Sequence, residues 1–167
     1  MPTKQRRYAL KTKEAKEILS EASTKLKIDL EALFGSKVNV EVVESDVGLI
    51  YLIGGKPLFY KADDKVLPTL LFTEFTAKAP KIVVDMGAVP YVCKGADVMA
   101  PGIVRIEGKF SKGNLVLVAD VKYGKALAVG ESLYDAEVAK QTKKGPVVKT
   151  LHYVSDKIWD YTKTLTE

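Results

Sequence analysis

The sequence predicts an α+β chain in two parts, an N-terminal α/β domain over residues 1–79 and a small β-barrel domain over residues 80–167. Three observations predict it. An amphipathic helical period near the start gives way to short alternating strands. The Ala79-Pro80 step disfavours helix before the proline. Beyond it, Val/Ile/Leu-rich runs recur between spaced glycines, as in small barrels. With 47% hydrophobic and 28% charged side chains, the 167-residue chain has the composition of a packed globular protein.

In the first part, Thr12 is placed to cap a helix whose Ala15, Ile18, Leu19, Ala22 and Leu26 share one face. Asp29 to Phe34 forms a shorter helical segment, with Asp29 as cap and Gly35 as terminator. Val38, Val40 and Val42 alternate with Asn39, Glu41 and Val43, the period of a half-buried strand. Val47 to Ile53 and Leu58 to Lys61 read as strands joined at Gly54-Gly55, a pair suited to a tight hairpin. Asp63-Asp64 reads as a solvated turn. Pro68 to Ala77 reads as a helix that starts on its proline and turns Leu71, Phe72 and Phe75 to a core.

In the second part, Ile82 to Asp85, Ile103 to Glu107, Leu115 to Lys122 and Ala126 to Gly130 read as strands. Helical pieces run from Val89 to Lys94 and from Tyr134 to Lys143, and Thr150 to Tyr153 supplies a closing strand. The longest apolar runs, Leu49 to Ile53 and Leu115 to Ala119, fall far short of the ~20 residues that cross a bilayer. Met1 to Tyr8 lacks the apolar region of a signal peptide. No membrane contact is expected, and the cytoplasm is the expected location. The lone Cys93 excludes an internal disulfide.

A net charge of +5 permits contact with phosphate, but basic and acidic residues are spread over both halves, so any binding surface is a local patch. Catalytic chemistry is scarce. Cys93 and the single His152 are the only nucleophile and base of that kind, and no spacing brings them together. Cys93 reads as packing on a short helix, and His152 as a structural hydrogen-bond donor or a solvent-facing side chain. One Cys and one His cannot complete a four-ligand zinc site. Gly124 to Ser132 fails as a phosphate-binding loop, having five residues between its glycines and Glu131 where the lysine belongs. No enzyme, metal or cofactor is expected.

The specific segment is Asp85-Met86-Gly87-Ala88 followed, after a short helix, by Gly95-Ala96-Asp97-Val98-Met99-Ala100-Pro101-Gly102-Ile103. Its glycines permit close backbone approach or positive φ, and Pro101 stiffens the turn between them. Such a loop either accepts a phosphate on its amides or simply turns a barrel corner.

This pattern resembles the signature of the PUA domain, named for pseudouridine synthases and archaeosine transglycosylases. His152-Tyr153 with Asp156 and Trp159, the Val38/Val40/Val42 strand and Leu67-Pro68-Thr69-Leu70 resemble the family of proteins amplified in T-cell malignancy, in its archaeal branch. The resemblance implies a pre-PUA α/β domain followed by a PUA β-pseudobarrel that binds structured RNA, ribosomal or transfer, on the small ribosomal subunit. The work implied is initiation, reinitiation or recycling, and eukaryotic relatives have a partner protein with an initiation-factor-like domain. Gly87, Ala88, Gly95, Ala96, Asp97, Val98, Met99, Pro101, Gly102 and Ile103 match the motif, and Lys94, Arg105 and Lys149 are added as phosphate contacts. A protein adaptor and an accessory to RNA modification are the alternative functions.

Overall fold

The computed structural model describes residues 6–166. Its packing falls into two units, one running to Phe75 and taking in the chain from Asp160 onward, the other spanning Thr76–Trp159.

In the first unit, five strands form an antiparallel meander in sequence order, β1 (Arg6–Ala9), β2 (Val40–Ser45), β3 (Gly48–Ile53), β4 (Lys56–Ala62) and β5 (Lys65–Pro68). Helix α1 (Thr12–Leu26) packs on β5, and α2 (Leu30–Phe34) follows it. Gly54-Gly55 closes the β3–β4 hairpin as expected, and Asp63-Asp64 turns from β4 to β5. Asp29 caps α2, its carboxylate accepting from the Ala32 amide at 3.1 Å, and Gly35 ends the helix. The core gathers Phe59 and Phe72 edge to face, with ring centroids 5.3 Å apart.

The structure corrects two expectations for this part and adds a strand to it. Thr12 is the first residue of α1 and not its cap; Lys11 holds that position without a side-chain bond. Pro68 ends strand β5, and α3 (Thr73–Lys78) starts five residues later. A proline is tolerated there because β5 is an edge strand, with one face of its ladder unpaired. Strand β1 has no sequence signal because all four of its residues are exposed, leaving no apolar alternation to read. Polar cross-strand contacts hold it instead: Arg7 pairs with Glu41 through two 3.0 Å bonds, and the Tyr8 hydroxyl donates to Glu44 at 2.9 Å. Lys4 and Gln5, at the basic start of the sequence, lie outside the described residues.

The second unit is a curled six-stranded sheet. Its strands are β6 (Lys81–Val84), β7 (Val98–Met99), β8 (Ile103–Glu107), β9 (Leu115–Asp120), β10 (Ala126–Ser132) and β11 (Pro146–Tyr153), in the spatial order β7-β11-β10-β9-β6-β8. Short helices α4 (Val89–Val92) and α5 (Ala136–Gln141) and a single 3₁₀ turn, Ala100–Gly102, connect them. One pairing differs in kind: β6 and β9 run parallel, with Val84 opposite Asp120. The chain between these two strands is therefore a crossover, and the sequence-specific segment lies within it. Val84, Val116, Val118, Ala128 and Val148 are fully buried in the core.

Helix α6 (Lys157–Thr166) is not among the expected elements, although its signal is present: Asp156 precedes it and accepts from the Trp159 amide at 2.7 Å. Strand β11 starts four residues earlier than expected, because Pro146 and Val148 pair with β7, a two-residue strand too short to read.

Of the glycines, Gly130 is the most tightly enclosed, and it lies where β10 shifts register against β11. A Cβ there would lie 2.3 Å from Val148 Cγ1 and 3.0 Å from the Lys149 carbonyl. Neither neighbour is free to move, since Val148 is core and the carbonyl is backbone. Gly130→Ala is expected to destabilise the protein by about 1–3 kcal/mol, as overpacking does. Chemical denaturation checks this, and a wild-type midpoint would refute it.

Candidate functional site

The crossover begins at Asp85, whose carboxylate accepts from the Ala88 amide at 2.9 Å and whose own amide donates to the Gly102 carbonyl at 2.9 Å. These two bonds turn the chain out of β6 into α4 and tie it to the 3₁₀ turn. Small residues make the tie possible, since a Cβ on Gly102 would sit 3.2 Å from that of Ala88. The next fixed point is Gly95, at φ +92° under the ring of Tyr153. A Cβ there would fall 2.9 Å from the ring, so both conformation and space demand glycine.

After Gly95 the chain is fastened to β11 first at Thr150 and then through the β7 pairing. The Thr150 amide donates to the Asp97 carboxylate at 3.1 Å, and the Thr150 hydroxyl donates to the Ala96 carbonyl at 2.9 Å. Val98 then enters the core, while Met99 and Pro101 stay exposed.

The result is an open cavity of about 380 Å³. Gly87, Ala88, Ala96, Asp97, Val98, Met99, Pro101 and Gly102 line it, with Asp85, Tyr91 and Val92. Gly95 and Ile103 are outside its wall: Gly95 beneath Tyr153, and Ile103 packed on the core at the start of β8. The three added cations also lie off the lining. Lys94 is exposed just after α4, and Lys149 is exposed beside the Thr150 fastening. Arg105 stands on β8, where its guanidinium pairs with Glu107 at 2.8 Å.

Tyr91, 66% exposed, joins the site without a sequence signal, because a lone aromatic in a short helix carries no pattern. The helix expected to run to Lys143 stops at Gln141, and Lys143 and Lys144 are exposed in the loop that follows. That loop reaches the cavity rim, since the Ala100 amide donates to the Gly145 carbonyl at 2.9 Å and Pro146 pairs with Met99.

Cys93 and His152 have structural roles. Burial pushes the Cys93 thiol up, against a smaller downward pull from Lys125, so the thiol stays protonated at neutral pH and is a poor nucleophile. His152 is fully buried, with Nδ1 2.8 Å from Asp156 Oδ2. That carboxylate also accepts from the Tyr153 amide at 2.9 Å, so it joins the end of β11 to the start of α6. Among the described residues, no group of three or more acidic, His or Cys side chains is placed to hold a metal ion.

Residues 80–154 match the family model described as the PUA domain, and residues 6–74 match a domain of unknown function, DUF1947. An uncharacterized protein of Methanocaldococcus jannaschii is 37% identical over 157 residues, 93% of this chain and 96% of its own. Translation machinery-associated protein 20 of Saccharomyces cerevisiae is 27% identical over 140 residues, 79% of this chain and 77% of its own. Malignant T-cell-amplified sequence 1 of Rattus norvegicus is 31% identical over 115 residues, 66% and 63% of the two chains. The crystal structure of a hypothetical protein from Pyrococcus horikoshii OT3 superposes with a TM-score of 0.78 at 33% identity, covering 94% of this chain and 99% of that one.

The His152–Asp156 pair makes stability depend on acid. Burial raises the Asp156 pKa, but His152 and the backbone amides of Trp159 and Tyr153 outweigh it, and the net position is below the ordinary carboxylate value. Folding thus favours the ionised form. Its stabilisation is complete above the unfolded-state value of about 3.9 and is lost as pH falls through the lower folded value. Asp156→Asn is expected to cost about 1–3 kcal/mol at neutral pH and to flatten the acid limb of stability against pH. Denaturation midpoints from about pH 2 to 7 check this; an acid limb as steep as wild type would refute it.

Proposed function

This chain belongs to the family of two-domain PUA proteins that includes translation machinery-associated protein 20 and malignant T-cell-amplified sequence 1, and on that premise we propose that it binds structured RNA as a non-catalytic factor of translation. Its place of work is the small ribosomal subunit or a tRNA in the cytoplasm, at initiation, reinitiation or recycling. The residues that match the PUA domain, 80–154, carry the RNA, and the first unit supplies a second docking surface.

The observation that carries this reading is the cavity of the crossover. Part of its wall is small, Gly87, Ala88, Ala96 and Gly102, which lets a sugar–phosphate strand approach closely beside the exposed Tyr91 and Met99, and the segments that form or adjoin it carry exposed lysines at 94, 143, 144 and 149. The two carboxylates in the wall are each engaged by a backbone amide, Asp85 by Ala88 and Asp97 by Thr150. Binding without catalysis also fits the protonated Cys93 thiol and the buried His152.

Lys94→Glu and Lys149→Glu are each expected to weaken RNA binding at physiological salt and to lower the salt slope by about 0.7–0.9, the share of one phosphate that is no longer neutralised. Arg105→Glu is expected to do less, because Arg105 is already paired with Glu107. Gly102→Ala acts by shape: its methyl group narrows the cavity against Ala88, so its weaker binding persists at low salt. RNA retention at several salt concentrations, with circular dichroism to verify folding, tests the set. Wild-type affinity in all four folded variants would move the RNA surface elsewhere. Sedimentation of cell extract through a sucrose gradient tests the ribosomal assignment, which fails if the protein stays at the top.

A further inference from the structure

The hairpin tip between β9 and β10, residues 121–125, has no part in the cavity, yet it is held firmly. Asp120 is 3% exposed, and its carboxylate accepts from the amides of Tyr123 and Lys125. The Gly124 amide donates to the Asp120 carbonyl at 3.1 Å, and Gly124 takes φ +65°, so the turn has a defined shape. What this turn presents to solvent is an aromatic ring. Tyr123 is 72% exposed, more than any other large hydrophobic side chain among the described residues. Lysines 122 and 125 are exposed beside it in sequence, and Lys122 Nζ lies over one face of the ring, 5.1 Å from its centroid.

The tip lies at the end of the barrel where the crossover starts. Parallel strands end on the same side, and the Val121 amide donates to the Val84 carbonyl at 2.9 Å, one residue before Asp85. The tip therefore leaves the sheet beside the Asp85 to Ala88 wall of the cavity. The charge of Lys125 is also felt at Cys93, next to the exposed Lys94.

We propose that this tip is a second RNA contact, in which an unpaired nucleobase stacks on Tyr123 while Lys122 and Lys125 hold the phosphates on either side. This rests on the RNA-binding reading above and narrows its substrate to structured RNA with a single-stranded nucleotide beside the segment seated at the cavity. An exposed ring accompanied by two cations offers the stacking surface and the positive charge that a single strand uses. A protein partner would call for a contiguous apolar patch, and a bilayer for several apolar anchors; this tip carries a single exposed ring and two exposed lysines.

The test compares the full chain with a blunt RNA duplex, the same duplex with a short 3′ overhang, and that overhang with its first base removed. Wild type is expected to prefer the overhang. Tyr123→Ala should bind the overhang about tenfold more weakly and the blunt duplex as wild type does, the scale of a single base stack. Tyr123→Phe should keep the preference, because the ring and not the hydroxyl carries it. The abasic overhang should bind wild type as the intact overhang binds Tyr123→Ala. Equal weakening on blunt and overhang RNA, or wild-type affinity of Tyr123→Ala for both, overturns the proposal and leaves the ring to a protein contact. If wild type binds none of these RNAs while Gly102→Ala changes nothing, the RNA-binding reading itself falls; if Gly102→Ala weakens binding and Tyr123→Ala does not, only the tip is refuted.

Discussion

The parallel pairing of β6 with β9 is the constraint on which the second unit depends. Hydrogen bonds between parallel neighbours require the chain to leave one strand, cross over and re-enter in the same direction. Here the crossover carries α4, β7, the 3₁₀ turn and β8 before β9 begins. It is tied down at separate anchor points: Asp85 to Gly102, Ala100 to Gly145, and Ala96 and Asp97 to Thr150. A segment held this way keeps a fixed shape although its elements are short, and the cavity is the open space its first part lines.

Aspartate is the recurring fastener. Asp29, Asp85, Asp97, Asp120, Asp135 and Asp156 each accept at least one backbone amide, at helix starts, at turns or between distant segments. An ionised carboxylate is a strong acceptor for such groups, so each bond fixes the backbone more firmly than a neutral one would. The arrangement has an electrostatic effect too. The six carboxylates keep their negative charge while they do this, so the excess positive charge of the chain resides on its lysines and arginines elsewhere.

Much of this is legible in the sequence where local chemistry decides the structure. Ile103–Glu107 is a strand with the expected bounds, Gly54-Gly55 closes its hairpin, Asp29 caps its helix, and the Gly87 to Gly102 motif lies within the residues that match the PUA domain. Illegible features are those set by tertiary partners. Strand β1 is stabilised by Glu41 and Glu44, which lie more than thirty residues away, and Pro68 is a strand residue only because β4 pairs with it. Tyr123 gives no signal as a residue; its exposure depends on Asp120 being pulled inward.

The last helix has a consequence for how the protein comes into being. The second unit is complete once Trp159 exists, whereas the first draws in residues from Asp160 onward. In order of synthesis, the barrel can therefore close while the meander that preceded it is still lacking its final segment. The earlier-made part matures later. The nascent chain exposes an incomplete first unit until the residues after Trp159 clear the exit tunnel, which favours a sheet of sequential hairpins, able to form from local contacts, at that end of the chain.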